Sequence, residues 1–412
     1  MARGPRRTPR SRAREEALAA AAAVRVPARC DVAVVGGGAA GLAAAVAAAE
    51  YGASVVVLER GLACGRTILA TGNGRCNFMN VSLCEPEPAW ERYNDPSFVA
   101  ATCGAGFGEE VLGFFEDCGL AWAEEDGGRL YPLSRQAASV REVLLARAAR
   151  AGVVLAPARE VTDVSMSRHE VRIRPLFEAD FPSKRGLVYT SLVYAAGGGE
   201  KTARSLGLSC AAYEPVLCSL ACAAPQDVSL AGLDGRRAHV VARLLRGDVE
   251  VAREVGEVLF RPYGLSGIVV FDLSRQARPG DVVALDLTCG LDRDRARALV
   301  AAAGSCAGAL DPVIAGALGS DALERAFDLR FVVTGPAEPE RAQVTRGGLL
   351  TERFDPATLE ARELPGLFAC GEALNVDGAC GGFNLAWAWK SGLVAGRAAA
   401  GRRAADDGAG RA

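Results

Sequence analysis

Histidine is nearly missing from this chain. Only His169 and His239 occur in 412 residues, which argues against chemistry built on a histidine cluster, most zinc sites included. Lysine is almost as scarce: Lys184, Lys201 and Lys390 are the only ones, and the other 44 basic residues are arginine. With the abundant alanine, that imbalance reports base composition rather than function. The thirteen cysteines contain no Cys-x-x-Cys, and without a convincing export signal they read as reduced thiols of a cytoplasmic protein. Cys218 and Cys222 are the one close pair, and three intervening residues in strand-like sequence argue against a dithiol redox motif. Net charge is small, with 47 basic against 49 acidic residues, so there is no global nucleic-acid footprint. Nor is there a membrane span. Val32 to Ala49 are 18 uncharged residues, but Gly36, Gly37, Gly38 and Gly41 split them into a valine strand and an alanine helix. The flanking Asp31 and Glu50 offer no aromatic or lysine belt.

What is present is ordinary in bulk and unusual in glycine. Half the residues are hydrophobic and 23% are charged, a globular balance for two to three domains. The 48 glycines exceed the average of about 7% and ask for tight turns and close backbone approach. Residues 1–29 carry eight arginines and an alanine run and read as a solvated tail or a misplaced start. A twin-arginine signal at Arg6 and Arg7 is disfavoured by Pro9 and Arg10, which stand where an apolar stretch should begin. Helical patterns are expected at Glu109–Asp117 and at Ala137–Ala149, the second opening after Ser134 and ending at Gly152. Strand-like runs lie at Val153–Leu155, Val171–Ile173 and Leu187–Tyr194. Between Pro215 and Leu287 runs such as VVARLLRGDVEVAREVGEVLF suggest antiparallel strands. Asp292 to Phe327 returns to helix, and Gly366 to Arg397 looks like the first strand and helix again.

The sharpest local signal is DVAVVGGGAAGLAAAVAAAEYGASVVVLER. Gly36, Gly38 and Gly41 fill Gly-x-Gly-x-x-Gly directly after a valine strand and open a helix, with Glu59 ending the next strand. The first glycine turns the chain, the second lets backbone reach a pyrophosphate, and the third lets helix meet strand. The helix N-terminus, with Ala39 and Ala40, then faces the phosphates, and Glu59 can accept from a ribose hydroxyl. The motif alone does not separate NAD from FAD. Two further stretches bear on that choice: GRTILATGNGRCNFMN at 65–80, with Arg66 and Arg75 within reach of anionic groups, and LFACGEALNVDGACGGFNLAWAWKSGLVAG at 367–396. In the latter a strand ends at Gly371 and Glu372, and a helix begins near Asn384, suited to stabilising negative charge on a reduced flavin.

These stretches, with GRLYPLSRQA at 128–137, YAAGGG at 194–199, LFRPYGLSG at 259–267 and QVTRGGL at 343–349, resemble the BaiN-like or aminoacetone-oxidase-like family of bacterial FAD-dependent oxidoreductases. The likeness runs in order from about residue 30 to 397. It implies an α/β fold: a discontinuous Rossmann-like FAD-binding domain with an inserted β-barrel-like domain that carries a helical insertion. The corresponding division is 30–205 and 341–400 for the FAD domain, 206–290 and 328–340 for the barrel, and 291–327 for the helices, with tails at 1–29 and 401–412.

The resemblance further implies that Gly36, Gly38, Ala39, Ala40 and Gly41 hold the pyrophosphate, and Glu59 with Arg60 the adenosine ribose. Arg66, Thr67, Asn73, Gly74, Arg75, Cys76 and Asn77 would line phosphates and flavin, Val161 would face the adenine, and Ala196 and Gly197 would close the cradle. Gly371 and Glu372 would bind the ribitol or pyrophosphate side, and Asp377, Gly381, Gly382, Phe383 and Asn384 would wrap the isoalloxazine. The chain departs from the family in two places. Arg261 and Pro262 stand where Thr-His is usual, and GEKTARSLGLSC after YAAGGG lacks the usual Gly-Asp-Gly turn.

The chemistry so implied is hydride transfer through a non-covalent flavin between NAD(P)H, or another donor, and a small organic substrate such as an unsaturated acid or ketone. No second Gly-x-Gly-x-x-Gly offers a separate nicotinamide domain, so NADH or NADPH would bind transiently. Candidate catalytic residues are Arg75, Cys76, Asn77, Tyr131, Tyr263 and Ser266, with Arg135 nearby. Each has a plainer reading, as a phosphate counter-charge, a packed ring or a small buried hydrophobe. A flavin amine oxidase using oxygen, a tRNA-modifying flavoprotein and a flavin redox sensor are the alternatives. No nucleic acid, membrane or metal is expected, and the oligomeric state is not readable.

Overall fold

The computed structural model describes residues 9–175, 186–197 and 206–409. The chain divides into two units, Met1–Tyr213 with Arg346–Ala412, and Glu214–Thr345.

The first unit is built on a seven-stranded sheet. β1 (Arg29–Val35) lies between β2 (Val55–Leu58) and β9 (Leu187–Tyr194), all parallel, with Val34 opposite Val57 on one side and Val193 on the other. β6 (Val154–Ala156) extends the parallel set beyond β2, and β18 (Leu367–Ala369) joins β9, also parallel. β7 (Arg159–Ser165) and β8 (Glu170–Pro175) run antiparallel from β9. The valines of β1 and β2 are buried on both faces, which is why they read as continuous apolar runs instead of alternating ones. A smaller sheet is formed by β3 (Met79–Asn80), β5 (Arg129–Pro132) and β4 (Trp122–Glu125) in that order.

Helix α2 (Ala39–Glu50) is buried over most of its length, and the C-terminal helix Phe383–Ala409 packs along it. Alanine and glycine at this contact let the two backbones meet. A β-carbon on Gly396 would lie 2.2 Å from the carbonyl oxygen of Ala44. The same helix is tied to the site by aromatic edges: Phe115 in α4 (Phe107–Cys118) stands 5.0 Å from Phe78 and 5.1 Å from Trp389, and Trp389 Nε1 donates to the Phe78 carbonyl at 3.0 Å. α5 (Ala137–Arg150) completes this layer. Its N-cap is Gln136, two residues beyond the expected Ser134, whose hydroxyl pairs with Ser139 at 2.6 Å instead.

The chain crosses between units along β10 (Cys210–Val216) and β17 (Val344–Leu349), which pair as a two-stranded sheet. The expected divisions at 206 and 341 fall a few residues early, because each crossing is a strand and the division lies inside it.

The second unit is a closed antiparallel barrel. Its strands are β11 (Ser219–Ala223), β12 (Arg237–Arg246), β13 (Val249–Arg261), β14 (Gly264–Ser266), β15 (Val282–Asp286) and β16 (Leu329–Ala337), in the spatial order β11–β14–β13–β12–β15–β16. Closure leaves no free edge, and Leu244, Val258, Phe260, Leu265, Leu285 and Phe331 fill its buried core. Between β15 and β16 stand the helices Arg293–Ala303, Pro312–Leu318 and Ala322–Ala326. The first two begin at aspartate caps, Asp292 accepting from Arg295 N at 2.9 Å and Asp311 from Ile314 N at 3.0 Å, which satisfies donors a helix start leaves open.

Both ends of the chain carry helix. Pro9–Ala23 is a helix, α1, exposed along most of its length with Ala21 buried; its arginine, glutamate and alanine are strong helix formers. Arg159, buried beneath it, donates to the carbonyls of Ala21 and Val24. At the other end the helix runs on to Ala409, past the boundary expected at 400, and Arg402 pairs with Glu360. Residues 1–8 and 410–412, and most of the shortened stretch after YAAGGG, lie outside the described residues. Among the described residues no single helix is long and apolar enough to cross a membrane, and Val32–Ala49 is β1, a glycine turn and α2.

Candidate functional site

The glycine turn shapes the first part of the site. Gly36 has φ +104°, and a β-carbon on Gly41 would lie 1.9 Å from the Gly36 carbonyl oxygen, so strand and helix meet at a distance only glycine allows. Gly38 is the N-cap of α2 and places no side chain on the helix start, which leaves the N–H groups of Ala39, Ala40 and Gly41 facing outward for an anion. Thr67 stands beside Gly38, and Ala195 beside Gly36. Arg66 and Arg60 are exposed at the rim.

Glu59 directly follows β2 and is held by backbone. Its Oε2 accepts from Gly37 N at 2.8 Å and its Oε1 from Gly61 N at 2.6 Å, leaving further lone pairs on both oxygens. Val161, on β7, has its side chain buried, and the β7–β8 register shifts between it and Asp163. Ala196 and Gly197 follow β9, and Gly197 adjoins Glu372 while Gly371 adjoins Ala40. Burial, reinforced by Asp377, pushes the Glu372 carboxyl up to about 7.

The 68–77 loop is strained. Asn73 and Cys76 both take left-handed backbone angles, φ 54° and 58°, each at a cost of about 1–3 kcal/mol for a non-glycine residue. Asn77 follows, and its buried Oδ1 has no hydrogen-bond partner in the protein. Arg75 is fixed between Tyr131, whose ring lies 4.3 Å below the guanidinium carbon, and Glu125, with which it is ion-paired. Arg135 shares Glu125 at 3.1 Å. Cys76 is fully buried, and burial pushes its thiol up to about 11. Burial therefore favours its neutral thiol over the thiolate.

After β18 the loop residues mostly brace one another. Asp377 is 1% exposed and takes a two-pronged ion pair from Arg346, at 2.9 and 3.1 Å. Asn384 Oδ1 accepts from Gly378 N at 2.8 Å and its Nδ2 donates to the Gly378 carbonyl at 2.7 Å, so its amide shapes the turn ahead of Phe383. Asn80 Nδ2 bridges the carbonyls of Gly127 and Gly381, which fixes the Gly381–Gly382 turn against the β4–β5 hairpin.

Tyr263 and Ser266 belong to the barrel unit, where they line a pocket of about 240 Å³. Reading the sequence missed Glu125, Arg346, Asn80 and Glu338 as contributors. Arg346 lay within a quoted motif without a role, whereas Glu125 and Glu338 carried no local signal.

The first unit fits FAD. An uncapped helix start, an orphaned buried Asn77 carbonyl, a backbone-held Glu59 and a buried carboxyl at Glu372 are the polar groups a dinucleotide would satisfy. Among the described residues no cluster suits a metal ion.

The HI0933-like protein Rossmann domain matches residues 30–398. A 3-dehydro-bile acid delta(4,6)-reductase of Clostridium scindens is 32% identical, over 90% of this chain and 99% of that protein. A ribosomal RNA dihydrouridine synthase of Escherichia coli is 27% identical, over 88% of this chain and 96% of that one. Among solved structures, an open flavocytochrome c3 fumarate reductase is similar in fold, with TM-score 0.51 and 16% identity over 94% of this chain and 80% of that. So is the 3-ketosteroid-delta4-(5alpha)-dehydrogenase of Rhodococcus jostii RHA1, with TM-score 0.50 and 17% identity over 92% and 98%. The chain belongs to the HI0933-like family, as a Rossmann-fold, FAD-dependent oxidoreductase.

Proposed function

We propose that this protein reduces a carbon–carbon double bond conjugated to a ketone in a small, largely apolar molecule, taking electrons from transiently bound NADH or NADPH. The observation that carries the reading is the near full-length likeness to a reductase named for an unsaturated 3-oxo bile acid. When bound, FAD supplies hydride chemistry at its ring.

The residues divide the remaining work. The N–H groups at Gly38–Gly41 bind the pyrophosphate, and Glu59 accepts from the ribose. The orphaned Oδ1 of Asn77 accepts a hydrogen bond that the protein alone does not provide. Arg75, held by Glu125 and Tyr131, keeps a fixed positive charge beside that loop. Tyr131 contributes the stacked ring that sets its position.

The second likeness favours another substrate, uridine in ribosomal RNA, whose reduced double bond is also conjugated to a carbonyl. The charge pattern of the barrel unit speaks for the small molecule. Residues 214–345 hold fourteen arginines and eighteen carboxylates, and Arg237, Arg243, Arg246, Arg253 and Arg325 are each paired with an acid. With most of its arginines already paired to acids, such a surface offers few free cations for phosphate contacts.

The test is anaerobic. Holoenzyme reduced with NADH or NADPH is mixed with a 4,6-unsaturated 3-oxo bile acid, and return of flavin absorbance within turnover time is expected. Reoxidation by an oligonucleotide carrying uridine, and not by the steroid acid, would overturn the substrate class.

A further inference from the structure

The polar members of the barrel-unit pocket form one connected line. Tyr263 Oη donates to Glu338 Oε2 at 2.9 Å and stands 3.4 Å from Ser219 Oγ, and Ser219 Oγ donates to Ser266 Oγ at 2.9 Å. The two serines form the inner end, each 8% exposed. Glu338 forms the outer end, paired at 2.9 Å with Arg341, whose side chain is 74% exposed. Leu259, Phe271 and Ala337 give the pocket apolar wall. Glu338 also has a left-handed backbone, φ 49°. That strain costs about 1–3 kcal/mol in a non-glycine residue and clusters at functional sites.

A tyrosine whose only proton is committed to a carboxylate turns an oxygen lone pair toward the pocket. It can take a proton from a bound molecule while passing its own to Glu338. No tyrosinate then forms beside the carboxylate, where two like charges would oppose each other. Such a group suits a C–H bond next to a carbonyl. The C–H bond breaks, its proton goes to Tyr263 Oη, and the tyrosine proton goes to Glu338. The C–H electron pair moves onto the carbonyl oxygen, giving an enolate. Ser266, whose oxygen accepts from Ser219, has its own O–H to donate to that oxygen.

We propose that this pocket binds the ketone end of a small molecule and exchanges its α-proton through Tyr263, with Glu338 as the positioning residue. The inference rests on the unsaturated-ketone reduction proposed above.

The experiment uses holoenzyme with oxidised FAD and no nicotinamide, incubated in D₂O with a saturated 3-oxo bile acid; deuterium beside the ketone is followed by mass spectrometry. Wild type is expected to exchange. Tyr263→Phe and Glu338→Gln are expected to slow exchange about a hundredfold, as for loss of a general acid or base. Glu338→Asp, which keeps a carboxylate, stays within about tenfold. Flavin absorbance and Tm should be unchanged in all three. If Tyr263→Phe does not fold, the contrast between the Gln and Asp variants decides. No exchange by wild type, or undiminished exchange in Tyr263→Phe or Glu338→Gln, overturns the proposal. Exchange without reduction of the unsaturated acid would remove the proposed function and leave this relay standing. Reduction without exchange would do the reverse.

Discussion

Asn77 and Glu372 are two residues whose partners in the folded chain are incomplete in different ways. The Asn77 Oδ1 is buried without a hydrogen bond, so Asn77→Ala removes an unmet group and should cost the flavin-free protein little. The same variant should weaken FAD binding about tenfold, the worth of one hydrogen bond, as read by fluorescence titration of apoprotein. Glu372 is disfavoured as a charge, with burial and then Asp377 raising its carboxyl to about 7. The unfolded chain therefore releases this proton first as pH rises, and the flavin-free fold should lose stability between about pH 4.5 and 7, by about 3 kcal/mol at most. Glu372→Gln should flatten that decline. A denaturant midpoint series across pH, with identical slopes for wild type and variant, would sink the assignment. Gly41→Ala has no such subtlety, because its β-carbon would stand 1.9 Å from a carbonyl oxygen. Loss of flavin and a lower Tm are expected together.

Two elements meet around one charge cluster, of which Lys390 is the buried member. Lys390 and Arg397 on the C-terminal helix both pair with Glu110 on α4, and Lys390 is only 6% exposed. Burial opposes ionisation of Glu110, but the hydrogen bonds and charges of Lys390 and Arg397 outweigh it and hold the carboxyl below its usual range. Its contribution is full above the ordinary carboxylate pKa and is lost as pH falls through the lowered one. Glu110→Ala, leaving Lys390 buried without that carboxylate, should destabilise by about 3–5 kcal/mol, measured by chemical denaturation near pH 7. What the sequence disclosed at this scale was local. The valine runs, the glycine triplet and the alternating β12–β13 hairpin each carry their own period or spacing. Helix α1 was not legible, because what docks it is Arg159, 138 residues from Ala21. Glu125 lies 50 residues from Arg75, and Glu338 lies 75 from Tyr263. Neither distance leaves a trace in a linear pattern.

At the scale of the whole molecule, the chain joins a nucleotide-binding unit, assembled from its two ends, to a barrel inserted between them. The first unit's polar groups are arranged for a dinucleotide, and the barrel offers a small pocket with a tyrosine, two serines and a carboxylate. Arginines balanced by acids on the barrel favour a small substrate over a polyanion, so added salt should change turnover little, in contrast to the steep dependence of phosphate-directed binding. Flavin bound in the first unit underlies every step of this chemistry. The most direct measurement is a visible absorption spectrum of the purified protein, reconstituted with FAD if colourless, followed by anaerobic NADH or NADPH. Bands near ~450 nm that bleach on reduction are the expected result; a folded protein that stays colourless after reconstitution would contradict it.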